Sequence, residues 1–77
     1  MESTVEDLYQ YVKDKYVAVK NRFLFLTLIP EKVAADLDLS PITVRKNLNR
    51  LAKEGRIHLE VRHGSNWIIW MTKEQLQ

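Results

Sequence analysis

Ser40-Pro41-Ile42-Thr43-Val44-Arg45-Lys46-Asn47-Leu48-Asn49-Arg50-Leu51-Ala52-Lys53-Glu54-Gly55 is the stretch that decides how the chain folds. It carries its own start and stop signals. Ser40 is an N-cap residue, whose side-chain oxygen accepts from a backbone N–H that the helix leaves unpaired. Pro41 follows at the first helical position, where a missing N–H costs nothing. Gly55 supplies the left-handed residue that commonly ends a helix. The helix between them, about 41–54, has two chemically distinct faces. Val44, Leu48, Leu51 and Ala52 follow the 3.6-residue period and make an apolar back. Ile42, Thr43, Lys46, Asn49, Arg50 and Lys53 fall opposite, on a basic front rich in hydrogen-bonding groups where Ile42 alone is apolar.

The neighbours of this helix extend the pattern. On its N-terminal side, Pro30 opens a shorter helix from Glu31 to about Leu37, with Val33, Ala34 and Leu37 pointing inward. Asp38 is the turn, since aspartate tolerates the left-handed conformation better than most residues. Leu39 plugs that turn into the core, and the Ser40 helix follows at helix-turn-helix spacing. On its C-terminal side the period changes from helical to alternating. Ile57, Leu59 and Val61 face one way and Arg56, His58, Glu60 and Arg62 the other, then His63-Gly64-Ser65-Asn66 forms a turn and Trp67–Met71 a second strand. The expected unit is a β-hairpin with a polar tip. Trp67 and Trp70, three apart, face opposite sides of a strand, so one seals the core and the other lies at an edge, an interface or a ligand.

Upstream, Ser3-Thr4-Val5-Glu6 fits a capping box. Val5, Leu8, Tyr9, Val12, Tyr16, Val19 and Phe23 then form one apolar stripe, which predicts a first helix from about residue 4 to about residue 21. Tyr11 and Val17 fall off the stripe and are candidates for a second contact surface. Phe23–Ile29 is apolar with little alternation and reads as a connection followed by a short strand near Thr27–Ile29. Thr72-Lys73-Glu74-Gln75 fits the start of a final helical turn.

Helix, strand, helix, turn, helix and hairpin is the element order of a winged helix-turn-helix, an α+β fold that is mostly α. It is expected here as one domain over 1–77, with the helix-turn-helix at about 30–55 and the wing hairpin at about 56–71. Leu39-Ser40-Pro41-Ile42-Thr43-Val44-Arg45-Lys46, with Leu48, Leu51, Glu54-Gly55 and Ile57, resembles the DNA-binding domains of the GntR- and DeoR-type repressors. The pattern there runs Val-Ser-x-x-Thr-Val-Arg-x-x-Leu-x-x-Leu-x-x-x-Gly-x-Ile. Arg62-His63-Gly64-Ser65-Asn66-Trp67 is similar to their glycine-containing wing tip. Asp38 stands where those families commonly have glycine. Their large effector domain has no room in 77 residues, so no small-molecule effector is expected.

Charge distribution agrees with that resemblance. The net charge is only +2, but residues 1–39 hold five Lys/Arg against seven Asp/Glu, whereas 40–64 hold six Lys/Arg against Glu54 and Glu60. A basic half on an otherwise acidic chain suits a domain with one polyanion-facing side. There is no cysteine, which excludes disulfides and thiolate metal sites. The acidic N-terminus lacks the features of a signal peptide, and the longest apolar run, Phe23–Ile29, is too short to span a membrane. A cytoplasmic, nucleoid-associated location is expected. His58 and His63, the only histidines, flank no carboxylate cluster. No zinc site, glycine-rich phosphate loop or nucleophile motif is visible, so neither cofactor nor enzymatic activity is expected.

The resemblance implies that helix 41–54 enters the major groove of double-stranded DNA. Thr43, Lys46, Asn49 and Arg50 are the candidates for base edges, as lysine and arginine suit guanine and asparagine suits adenine. Ser40, Arg45 and Lys53 are assigned to the phosphate backbone. Arg62, His63, Ser65 and Asn66, on the wing, are assigned to the neighbouring minor groove or phosphates. The expected function is a small transcriptional regulator, such as a repressor. It acts as a homodimer because one module has a small footprint, with the first helix, a tryptophan or the C-terminus as the interface. A protein-interaction module, marked by an exposed apolar patch at Phe23–Leu28 or the tryptophans, is the alternative. A DNA-binding domain of plasmid or viral replication is a third.

Overall fold

The computed structural model describes residues 3–62 and 66–76. The elements follow in the order α1 (Ser3–Val19), β1 (Leu26–Leu28), α2 (Pro30–Leu37), α3 (Pro41–Lys53), β2 (His58–Val61), β3 (Trp67–Trp70) and α4 (Lys73–Leu76). This is the mostly helical α+β, winged helix-turn-helix arrangement that the sequence predicts.

The helical stripe of α1 becomes one wall of the core. Val5, Leu8, Val12 and Tyr16 are buried, and Tyr9 and Val19 pack against them partly buried. The stripe stops there. The N–H groups of Arg22 and Phe23 both donate to the Val19 carbonyl at 2.9 Å, and this tight turn ends the helix. Phe23 is thereby thrown out of register and is 59% exposed, a correction to its place on the stripe. Leu24 is 88% exposed beside it. Alternation begins only in β1, where Leu26 and Leu28 point inward and Thr27 outward.

Helix α2 begins on Pro30 and buries Val33 and Ala34. Asp38 then adopts the left-handed conformation (φ 55°, ψ 47°). That reversal lets the Leu39 N–H reach back to the Ala34 carbonyl at 2.9 Å, closing the end of α2 and tucking Leu39 against the core. Ser40 follows with extended backbone, and its Oγ accepts from the Thr43 N–H at 3.1 Å. Such a cap is worth about 1 kcal/mol. At the other end Gly55 has φ +78°. Its N–H donates to the Ala52 carbonyl and the N–H of Arg56 to that of Leu51, each at 3.0 Å. This pair of bonds is the Schellman motif, which consumes carbonyls that the last turn leaves unpaired.

The three strands form one antiparallel sheet in the order β1-β3-β2. Ile69 pairs with Leu26 on one side and Leu59 on the other and is fully buried. Trp67 and Ile69 share the buried side of β3, and Met71, the residue that follows the strand, is buried as well. Trp70 lies on the opposite face, half-buried, with its ring stacked on His58 at 5.2 Å between centroids. Trp67 is thus the tryptophan that seals the core. Burial fades along the hairpin, from Ile57 (2% exposed) through Leu59 to Val61 (54%), as the strands leave the core.

The last turn is set by a reciprocal capping box. Thr72 N–H donates to Gln75 Oε1 (2.9 Å) and Gln75 N–H donates to Thr72 Oγ1 (3.3 Å). Gln75 then ties α4 to the rest of the fold, since Tyr9 O–H donates to its carbonyl and its Nε2 donates to the Gly55 carbonyl, both at 2.8 Å. In the capping box expected at the first helix, the Ser3 side chain lies outside the described ones. The Glu6 carboxylate there is committed elsewhere, to Arg56.

Candidate nucleic-acid interface

Helix α3 is held by its back. Val44, Leu48 and Leu51 are fully buried against α1, α2 and the sheet. Replacing a leucine so placed by alanine typically costs 2–5 kcal/mol. Pinning the back fixes the rotation of the helix, and therefore which residues face outward. Ile42, Lys46, Asn49 and Lys53 recur at four-, three- and four-residue steps, which places them in an arc of about 60° on the outer face. All four are exposed, Ile42 to 72%. Among the described residues neither Lys46 nor Lys53 has a carboxylate partner.

The arginines flank this stripe and are paired. On one side Arg45 Nη1 lies 3.0 Å from Glu31 Oε2, a bridge from α3 to the first turn of α2. The Glu31 carboxyl is held below its usual range, first by its own backbone N–H and then by Arg45. On the other side Arg50 Nε lies 3.0 Å from Glu54 Oε2, one helical turn on. In the wing Arg62 Nε lies 2.6 Å from Glu60 Oε2. All six side chains are more than a third exposed. Pairs of this kind contribute about 0–1 kcal/mol and are readily exchanged.

The two hydroxyls at the helix start also satisfy each other. Ser40 Oγ–H donates to Thr43 Oγ1 at 2.8 Å while Ser40 Oγ caps the Thr43 N–H. In the wing, Asn66 is exposed and its carbonyl accepts from the Arg62 N–H at 3.4 Å, closing the hairpin beyond Val61 and Trp67. His63 and Ser65 lie outside the described residues. The structure thus brings Lys46, Asn49 and Lys53 onto one bare stripe, with Arg45 and Arg50 on its two flanks. Ser40 and Thr43 stand at its N-terminal end, and Arg62 and Asn66 are carried on the hairpin.

Arg56 belongs to the basic half of the sequence but not to this face. It forks onto Glu6 with two hydrogen bonds (2.7 and 2.9 Å), and its Cζ sits 4.0 Å from the Tyr9 ring centroid. Composition alone does not reveal the carboxylates that neutralise the arginines. Glu54, four residues after Arg50, follows helical spacing and is legible in the sequence. Glu31 is fourteen residues before Arg45 and is joined to it only by the turn at Asp38.

Among the described residues no cluster of three or more His, Cys, Asp or Glu has metal-site geometry, and no helix is long and apolar enough to cross a membrane. No protein-family model, curated protein or solved structure matches the chain. Its own geometry therefore carries the functional argument.

Proposed function

We propose that the chain is a sequence-specific double-stranded DNA-binding module, a small transcriptional regulator and not an enzyme. The observation that carries this reading is the outer stripe of α3, where Ile42, Lys46, Asn49 and Lys53 stand exposed opposite a fully buried back. The helix is about 20 Å long at 1.5 Å per residue, a size that the major groove admits. Lys46 suits guanine and Asn49 adenine, whereas Lys53, Arg45 and the Ser40–Thr43 pair are placed for phosphates along the groove edges. Thr43 and Arg50 border the base-reading stripe, and the hairpin carrying Arg62 and Asn66 reaches toward the next minor groove or backbone. The resemblance of residues 39–57 to GntR- and DeoR-type DNA-binding domains supports the same assignment.

Selection of bound duplexes from a random pool, followed by salt titration of the winner, tests this. A consensus and a binding constant that falls steeply with salt are the expected result. Lys53→Ala reduces the salt slope by about one, and Lys46→Ala relaxes the preference at one base position. No enrichment, or binding indifferent to salt, overturns the reading.

The alternative of a protein-interaction module also has an observation in its favour. Phe23, Leu24 and Phe25 are exposed beside the edge strand β1, and Phe23 and Phe25 line a shallow apolar groove with Val19. Large apolar side chains clustered at a surface commonly mark a protein contact. The two readings combine if that contact is a second copy of the chain, which would double the footprint on a two-fold site. Half-site symmetry in the selected duplexes, with a dimer in sedimentation, is the expected result for the combined case.

A further inference from the structure

Three arginines assigned to DNA are each bonded to an exposed glutamate: Arg45 to Glu31, Arg50 to Glu54 and Arg62 to Glu60. They stand at three separate places around the lysine stripe, on the α2 side of α3, on its C-terminal flank and on the wing. Lys46 and Lys53 lack such a partner among the described residues. The cations of this face are therefore of two kinds, two lysines open to any polyanion and three arginines already occupied.

We infer that Glu31, Glu54 and Glu60 act as internal competitors for phosphate, so that the free domain attracts DNA through Lys46 and Lys53 and engages its arginines only when DNA displaces a glutamate. The inference rests on the duplex-binding reading above and concerns how that site is regulated. A guanidinium makes the same planar, forked contact to carboxylate and to phosphate, so the exchange needs no rebuilding of the side chain. The pairs are exposed enough to open. Each still sets a toll of about two- to fivefold in affinity, the range that corresponds to a surface pair. The toll falls on any duplex that engages an arginine, because the pair must open before the phosphate contact is gained. An ill-fitting duplex, which offers the arginines no well-placed acceptor, leaves the glutamates in place and is held by the lysines alone. The glutamates thus keep the arginines out of complexes with ill-fitting DNA, which then depend on Lys46 and Lys53.

The experiment is a double-mutant cycle read on a short mixed-sequence duplex and on the selected duplex, across a range of salt. Glu31→Gln is expected to tighten binding to the mixed-sequence duplex about two- to fivefold. It should also steepen the salt slope by about one phosphate contact, as the freed Arg45 joins the complex. In an Arg45→Ala background the same substitution should change neither quantity. Glu54→Gln with Arg50→Ala repeats the cycle on the other flank. On the selected duplex the gain should be at least as large, since the pair is broken in every such complex, but the salt slope should not change, because the arginines are already engaged there. Circular dichroism confirms that each variant is folded.

An equal gain with and without the arginine overturns the inference, because the glutamate then acts by plain repulsion of the phosphates. No gain from either glutamate also overturns it while leaving the binding reading intact. If the unaltered protein binds neither duplex, the binding reading fails and this inference fails with it.

Discussion

The Arg56 guanidinium forks onto the Glu6 carboxylate, Nη1 to Oε2 at 2.7 Å and Nη2 to Oε1 at 2.9 Å, across fifty residues of chain. The same guanidinium covers the Tyr9 ring. Glu6 is in the first turn of α1, and Arg56 directly follows the glycine that ends α3. This contact ties the first helix to the junction between α3 and the hairpin.

Breaking the lock should lower stability in a pH-dependent way. Arg56 holds the Glu6 carboxyl below its ordinary 4.5. A lowered folded-state value means that the stabilisation is fully present above 4.5 and is lost as pH falls through the lower folded value. Glu6→Gln should therefore reduce the denaturant midpoint at neutral pH and match the unaltered protein in strong acid. Arg56→Ala should cost more than Glu6→Gln at neutral pH, because it also uncovers the Tyr9 ring. Equal costs at all pH values would mean that the pair is not closed in solution.

Tyr11 gives a second pH signature at the alkaline end. Its hydroxyl donates to Asp36 Oδ2 at 2.6 Å, bridging α1 and α2. Partial burial first, and then that carboxylate, push its pKa from 10.0 to about 12. Here the folded value is raised, so the stabilisation is complete below 10.0 and fades as pH climbs toward 12. Tyrosinate absorbance should show a component titrating near the upper limit, absent in Tyr11→Phe. If the variant titrates like the parent, the bridge is not formed.

Much of this fold was legible because its decisive signals are local. Ser40-Pro41, Asp38 and Gly55 act on the backbone within a few residues, and the structure places all three as chain chemistry alone requires. Long-range features were harder to read. Periodicity carried Phe23 onto the α1 stripe because a helical wheel holds no information about where a turn at Val19 ends it. The three-residue spacing of Trp67 and Trp70 put them on opposite faces, yet only pairing with Leu28 and Val61 selects Trp67 for the core. At the candidate site, the bare and buried faces of α3 follow from its period. The pairing of Arg45 with Glu31 and of Arg56 with Glu6 follows from how the helices dock, which no spacing rule records.

Gly55 tests the backbone part of that argument. Its φ of +78° is one that side-chain-bearing residues rarely adopt, while a Cβ added there would meet nothing within 4 Å. Gly55→Ala should thus cost conformational strain alone, about 1 kcal/mol, or roughly 4–8 °C in Tm for a domain this small. The fold should be retained, and with it duplex binding at temperatures below the transition. A much larger loss would mean that the Gly55 carbonyl bond to Gln75 Nε2 is disrupted as well.

Ile42 is the residue on which the groove assignment is most exposed to refutation. It stands at the N-terminal end of the α3 stripe with 72% of its surface in solvent, where it adds little to the core. Substitution there should leave stability within about 0.5 kcal/mol. An apolar group at the start of a helix lying in the major groove has one distinctive partner, the thymine methyl group. Ile42→Ser should consequently bind the selected duplex more weakly, with the loss concentrated at a single base pair. Replacing that thymine with uracil should weaken the unaltered protein but not the variant. Asn49 provides the internal comparison, because Asn49→Ala removes a hydrogen-bonding reader of adenine and should relax preference at a different position of the same site. If Ile42→Ser and Asn49→Ala weaken all sequences equally, the α3 stripe holds the backbone and does not read bases.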